Sequence, residues 1–170
     1  MVEFVSECNA DKVFLLQIGV LLKQINKADN NDKVAKAMHK QLDNYHKTII
    51  GLTDKDKTNL PRYFHEFNLV DSNKSTFFHH KPGTHQYIVF LKPAIEGWLL
   101  AEAKEANINP EDFGLPVEVK KLKLITANES IKNNQQFKNF IAEILKSKTT
   151  GVLFLQKHLQ NHVDFLKIDD

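Results

Sequence analysis

Acidic side chains at three points of the chain have the type and spacing needed to bind a divalent cation. Glu7 follows a short apolar segment, Asp54 and Asp56 follow the most apolar segment, and Glu96 lies in the first turn of a predicted helix. Carboxylate oxygens favour Mg²⁺, Mn²⁺ or Ca²⁺ over zinc. Four carboxylates brought together repel one another unless a cation lies among them. The alternative interpretation is that each acid is a solvated loop or helix-cap group.

The segments that precede these acids are predicted strands of one sheet. Residues 2–7 contain the apolar pair of a short buried strand, and residues 47–53 form the continuous apolar run expected of a central parallel strand. Functional sites of open α/β sheets collect at the carboxyl ends of the strands. We therefore expect Glu7, Asp54 and Asp56 to share one edge of the sheet.

The remaining patterns predict two further strands, over 75–80 and 86–91, joined as a hairpin by a turn at Pro82 and Gly83. The order of elements favours an α/β fold, with a mostly parallel sheet flanked by helices and a helical C-terminal extension. We place the α/β domain at 1–116 and the extension at 117–170. Helices are predicted over 10–25, 32–45, 61–68, 94–106, 117–124, 128–146 and 151–166.

Composition narrows the class of protein. The 170 residues are 42% hydrophobic and 26% charged, which is typical of a globular domain. Cys8 is the single cysteine, so an intrachain disulfide and a cysteine-based zinc site are excluded. The longest apolar stretch, 13–22, is too short to cross a bilayer, and the first residues lack the basic region of a signal peptide. We expect a cytoplasmic protein with no membrane partner.

Three segments resemble motifs of the Toprim domain. Residues 5–11, Val-Ser-Glu-Cys-Asn-Ala-Asp, resemble the first motif, a strand followed by Glu-Gly-x-x-Asp and a helix. Residues 49–56, Ile-Ile-Gly-Leu-Thr-Asp-Lys-Asp, are similar to the second motif, a hydrophobic strand ending in Asp-x-Asp. Residues 93–100 resemble a third element of OLD-family nucleases and small stand-alone relatives, in which Glu opens a helix. The resemblance covers about residues 2–105.

This resemblance implies a Rossmann-like Toprim sheet and metal-dependent phosphoryl transfer on nucleic acids. Members of the family include topoisomerases, bacterial primases, ribosomal-RNA maturases and OLD-type nucleases. Carried over to the matching positions, Glu7 would be a ligand or general acid/base, and Asp54 and Asp56 would bind Mg²⁺ or Mn²⁺. Glu96 would bind a second ion or complete the first site. The implied function is a nuclease that acts on DNA or RNA.

The chain departs from the family pattern at two glycines. Cys8 replaces the glycine after the first glutamate, and Asn59 or its neighbours replace the glycine that often follows Asp-x-Asp. Glycine at such positions allows a backbone to approach a phosphate closely. A non-catalytic Toprim-like binding module is therefore the alternative from a different functional class.

Two other families use an aspartate in the way that Asp54 could be used. Residues 54–58 match the Asp-x-Asp-x-Thr nucleophile loop of haloacid-dehalogenase phosphatases, but no Gly-Asp pair follows residue 60. A response-regulator receiver would use Asp54 as phospho-acceptor and the Lys92–Pro93 pair after the last strand. It would also need two adjacent acids after the first strand, which Glu7 and Cys8 do not supply.

Basic residues are concentrated in the C-terminal part of the chain. Residues 117–158 contain eight lysines and three acids. Such a bias is typical of a solvated face or of a surface that faces nucleic acid. Under the second interpretation, Lys120, Lys121 and Lys123 are the predicted nucleic-acid contacts.

Overall fold

The fold is built from one sheet and six α-helices, in a computed structural model that describes residues 1–43, 46–55 and 60–162. Short 3-10 helices cover Leu22–Gln24, Arg62–Glu66, Pro110–Phe113 and Glu129–Asn133. The strands are β1 (Val2–Ser6), β2 (Ile25–Lys27), β3 (Thr48–Asp54), β4 (Asn68–Ser72), β5 (Thr76–His80) and β6 (Gln86–Leu91). The helices are α1 (Asn9–Gln17), α2 (Asn31–His39), α3 (Ile95–Glu105), α4 (Val119–Thr126), α5 (Gln135–Lys146) and α6 (Thr150–Leu159).

The strands form a single mixed sheet in the order β2-β1-β3-β6-β5-β4. Pairing is parallel from β2 through β1 and β3 to β6, and antiparallel from β6 to β5 and from β5 to β4. The predicted α/β class, with a mostly parallel sheet flanked by helices, is confirmed. The predicted hairpin is the antiparallel β5–β6 pair.

The apolar run predicted as a central strand is β3, which pairs with β1 on one side and β6 on the other. Ile49, Ile50 and Leu52 are buried, so both faces of β3 are covered. Gly51 faces α2 at close range, since a Cβ atom there would lie 2.8 Å from the sulfur of Met38. The sheet can therefore pack tightly against α2 at this point.

Helices cover the two faces of the sheet unequally. On one face, α1, α3 and the C-terminal helices enclose the larger core around Trp98. The Trp98 indole is fully buried and donates a hydrogen bond to Thr76 Oγ1 at 2.9 Å, so its polar atom is satisfied. On the other face, α2 and the 3-10 helix Arg62–Glu66 enclose a smaller core.

The helices after residue 117 share the larger core with the sheet. Phe137 and Ile141 of α5 lie in the same buried cluster as Phe14 of α1 and Leu99 of α3. None of the helices in the described ranges is long and apolar enough to cross a membrane.

Several predicted boundaries were wrong. The helix predicted over 10–25 ends at Gln17, and the chain turns at Gly19, whose φ is +97°. The strand β2 that follows was missed because its three residues show no apolar period. The edge strand β4 was also missed, since most of its side chains are exposed and do not alternate.

Other predicted helices are shorter than expected. The helix predicted over 128–146 begins at Gln135, where the Asn134 side chain accepts a hydrogen bond from Phe137 N at 2.9 Å and caps the helix. The helix predicted over 32–45 ends at His39. The segment predicted as a helix over 61–68 is the 3-10 turn Arg62–Glu66. The ends of the helices predicted to stop at 45 and 166 lie outside the described residues.

Candidate functional site

Three of the predicted acids meet at one edge of the sheet. Glu7 directly follows β1, Asp54 is the last residue of β3, and Glu96 lies in the first turn of α3, which begins after β6. Because β1, β3 and β6 are adjacent and parallel, their carboxyl ends lie side by side. The sheet therefore brings Glu7, Asp54 and Glu96 together. Asp56, the remaining predicted ligand, lies outside the described residues.

The Glu7 carboxylate reaches from β1 across to β3. Its Oε2 atom accepts hydrogen bonds from Thr53 Oγ1 at 2.8 Å and from Asp54 N at 3.3 Å. The residue is 7% exposed, so these contacts replace water in a buried position. Glu7 is thereby held next to the backbone of Asp54.

Asp54 links the sheet to α3. Its Oδ1 atom accepts a hydrogen bond at 3.1 Å from the backbone N–H of Ile95, the first residue of α3. The N-cap residue of that helix, Ala94, has no side chain able to accept a hydrogen bond. Asp54 therefore supplies the missing cap, and its negative charge lies at the positive end of the helix dipole.

Glu96 is buried between α3 and α4. Its Oε1 atom accepts a hydrogen bond from Thr126 Oγ1 at 2.5 Å, and both residues are nearly inaccessible to water. This contact places the end of α4 beside the carboxylate edge. Lys123 precedes Thr126 by three residues and shares that face of the helix. By contrast, Lys120 and Lys121 are exposed, and Lys121 Nζ pairs with Glu118 at 2.6 Å.

A fourth carboxylate, Asp11, belongs to this cluster and was not among the predicted site residues. Its Oδ2 atom accepts a hydrogen bond from Cys8 N at 2.8 Å, which forms a capping box at the start of α1. Burial raises the pKa of Asp11, and the negative charges of Asp54 and Glu7 raise it further. Oδ1 of Asp11 is buried with no hydrogen-bond partner. The signal that could have found it was the acid four residues after Glu7, within the first turn of a helix.

Cys8 occupies the N-cap position of α1 without strain. Its φ of −139° is ordinary extended backbone, so the position does not require glycine. Burial raises the pKa of the Cys8 thiol, and the charges of Asp11 and Glu96 raise it further. A raised pKa disfavours the thiolate, which is the form in which a cysteine acts as a nucleophile.

The cluster has the chemistry of a hard-cation site, although its oxygens do not converge on one point. Within the described ranges, no three His, Cys, Asp or Glu side chains are grouped closely enough to hold a metal ion. Glu7, Asp54 and Glu96 instead direct oxygens at protein donors. Asp11 Oδ1 is a buried carboxylate oxygen without such a donor. Oxygen donors are the ligand type that Mg²⁺ and Mn²⁺ prefer, but the described side chains do not form a grouped metal site.

Comparisons with known proteins give no independent assignment. No protein-family model matches the chain, and searches of curated proteins and of solved structures give no significant match. The function of the carboxylate cluster must therefore be inferred from its geometry and from the motifs that it contains.

Proposed function

We propose that this chain is a Mg²⁺- or Mn²⁺-dependent phosphoryl-transfer enzyme, and specifically a nuclease that acts on DNA or RNA. The observation that carries the proposal is the meeting of Glu7, Asp54 and Glu96 at the carboxyl ends of adjacent parallel strands. These residues come from three distant parts of the sequence, and the sheet order alone brings them together. Asp56 follows Asp54 by two residues and completes the acidic set.

The electrostatics of the cluster favour a bound cation. Burial raises the pKa of Asp11, and the negative charges of Asp54 and Glu7 raise it further, as expected where carboxylates lie close together. A divalent cation would relieve this repulsion and would favour the ionised form of Asp11. Metal binding is therefore expected to release protons from the protein.

The roles of the residues follow from their positions. Asp54 and Asp56 would hold the metal ion, and Glu96 would bind a second ion or complete the first site. A metal bound there would polarise a phosphoryl oxygen and lower the pKa of an attacking water molecule. Glu7 is held by Thr53 Oγ1 beside Asp54, where it can serve as a ligand or accept and donate a proton.

The sheet also supports the proposed Toprim-like identity. Strands β2, β1, β3 and β6 form a parallel half of the sheet that carries the acids at its carboxyl edge. The receiver alternative is less well supported, because a flavodoxin-like receiver sheet is parallel throughout, whereas β5 and β4 are antiparallel here.

A non-catalytic module that binds nucleic acid is the second candidate function. It is favoured by the protein donors that already satisfy one oxygen each of Glu7, Asp54 and Glu96. These contacts stabilise the fold in the absence of a cation. Metal dependence separates the two candidates, because the enzyme requires a cation and the module does not.

The proposal is tested by incubating labelled single-stranded and double-stranded DNA and RNA with the protein in Mn²⁺ or in EDTA. We expect cleavage of at least one substrate in Mn²⁺ only. The Asp56→Asn variant should lose this cleavage, whereas Asp32→Asn, which removes an exposed acid on α2, should retain it. Cleavage that survives in Asp56→Asn, or in EDTA, would contradict the proposal.

A further inference from the structure

The carboxylate edge of the sheet continues into a row of lysines. Lys55 follows Asp54 and donates its backbone N–H to Leu91 O at 2.8 Å, at the end of β6. Lys92 follows β6 and donates its backbone N–H to Ser75 O at 2.8 Å, just before β5. The edge is therefore acidic at β1 and β3 and becomes basic toward β5.

Lys55 and Lys92 each follow the last residue of one of two paired strands, β3 and β6. The Lys55 ammonium lies 3.6 Å from the centroid of the Phe77 ring and 5.9 Å from that of Phe90. Among the residues that the structure describes, neither lysine forms an ion pair with a carboxylate. Two neighbouring cations without an acidic partner would both be stabilised by an anion.

A groove of about 750 Å³ begins beside these lysines and runs along α3. Lys92 and Pro93, which line the groove, directly follow Leu91, the residue of β6 that pairs with Asp54. One end of the groove therefore lies beside the strand end that carries Asp54. Small side chains such as Ala101 form its floor. Exposed lysines stand along it, namely Lys74, Lys92 and Lys104.

The two acids that line this groove already have partners. Glu102 Oε2 accepts a hydrogen bond from Gly151 N at 3.0 Å, and Glu105 Oε1 accepts from both Thr150 N and Thr150 Oγ1 at 2.7 Å. Both carboxylates therefore cap the start of α6. The lysines remain as the groups available to a ligand in the groove.

We propose that this groove holds a single strand of nucleic acid whose reacting phosphate lies at the carboxylate cluster. Lys74, Lys92 and Lys104 contact the strand, and Lys55 contacts the phosphate nearest Asp54. The inference rests on the proposed function, because the acidic cluster fixes where the reacting phosphate lies. The groove has the volume of a small-ligand cleft, which suits a segment of one strand and not a duplex. The small floor residues let a sugar–phosphate backbone come close.

The groove is tested by binding measurements that require no catalysis. Fluorescence anisotropy of labelled oligo-dT and oligo-U is measured in EDTA for the wild type and for Lys74→Gln/Lys92→Gln. We expect a loss of affinity of about tenfold, and a salt dependence of log K that is shallower by about 1.4, because each phosphate contact contributes about 0.7 on a single strand. Comparison of the two oligonucleotides shows whether DNA or RNA is preferred.

The matched control is Lys36→Gln/Lys40→Gln, which removes two exposed lysines, Lys36 of α2 and Lys40 directly after it. It should leave strand binding nearly unchanged. Equal losses in both double variants, tighter binding of a duplex, or no binding by the wild type would overturn the inference. Strand binding is measured in EDTA and cleavage in Mn²⁺, so a failure of cleavage and a failure of the groove are read separately.

Discussion

Asp54 Oδ1 accepts a hydrogen bond from Ile95 N at 3.1 Å, so the acid that ends β3 caps the helix that carries Glu96. One carboxylate thus has a structural partner and a position suited to a metal ligand. The cap fixes the start of α3 against the edge of the sheet. The stability of α3 and the geometry of the carboxylate cluster are therefore coupled through Asp54.

This coupling predicts that two substitutions of Asp54 separate stability from metal binding. Asp54→Ala removes the cap and should lower the free energy of unfolding by about 1 kcal/mol. Asp54→Asn keeps an oxygen acceptor for Ile95 N and should be closer to the wild type in stability. Both variants should lose Mn²⁺ binding. Urea unfolding without metal checks the first two statements, and equal stability of the two variants would exclude the cap.

Asp11 should make the folded state less stable as the pH rises. Burial, with the charges of Asp54 and Glu7, raises the pKa of Asp11 above its ordinary value of 3.8. The stability that Asp11 contributes is therefore complete below pH 3.8 and is lost as the pH rises through the pKa of Asp11 in the folded state. Asp11→Asn stays neutral and can still accept from Cys8 N. At neutral pH without metal we expect its Tm to rise by about 2–4 °C.

Thermal unfolding over a range of pH checks this prediction. The stability difference between Asp11→Asn and the wild type should shrink toward acidic pH, where wild-type Asp11 is also neutral. Asp11→Ala removes the acceptor of the capping box and serves as the comparison. A wild type more stable than Asp11→Asn at neutral pH would contradict the predicted direction.

Thr126 should stabilise the protein through Glu96. Thr126→Val removes the donor of the 2.5 Å hydrogen bond and leaves a buried carboxylate oxygen without it. The expected cost is about 1–3 kcal/mol in the free energy of unfolding. Thr126→Ser keeps the hydroxyl and should recover most of the difference. Chemical denaturation of the three proteins gives the result, and equal loss in Ser and Val would assign the effect to packing.

The contacts between Asp71 and α6 should stabilise the folded state by an amount that depends on pH. Its Oδ2 atom accepts hydrogen bonds from Lys157 Nζ at 2.7 Å and His158 Nε2 at 2.8 Å, and these lower the pKa of Asp71 to about 2. The stability that this lowered pKa gives the folded state is complete above pH 3.8, the ordinary pKa of an aspartate. It is lost as the pH falls to about 2. Asp71→Asn removes that contribution, so its Tm should fall less steeply in this range.

The control for that titration is Asp32→Asn, which removes an exposed acid on α2. Its Tm should follow the wild-type profile. Parallel profiles for Asp71→Asn and the wild type would show that Asp71 does not contribute to acid sensitivity.

Much of the carboxylate edge was predictable, because strand ends are marked in the sequence. The apolar run before Asp54 and the short strand before Glu7 placed both acids at carboxyl ends, and the sheet order confirms that they share an edge. Asp11, four residues after Glu7, was not predicted as a site residue. Its burial depends on how α1 packs, which a local pattern does not report.

The lysines were harder to place for a physical reason. Local charge density predicted Lys120, Lys121 and Lys123 as nucleic-acid contacts. The first two lie on an exposed surface, and the assignment stays a prediction. Lys55, Lys74 and Lys92 are far apart in sequence and carry no local signal. They come together only through the pairing of β3 with β6 and of β6 with β5. Such long-range register cannot be read from one segment at a time.

The most direct test of the proposed metal site is calorimetric titration of Mn²⁺ at neutral pH into the wild type, Asp32→Asn and Asp54→Asn/Asp56→Asn. The carboxylate cluster predicts saturable binding by the first two proteins and its loss in the double variant, which keeps an acceptor for Ile95 N. No binding by the wild type, or equal binding by the double variant, would contradict a metal site at this edge.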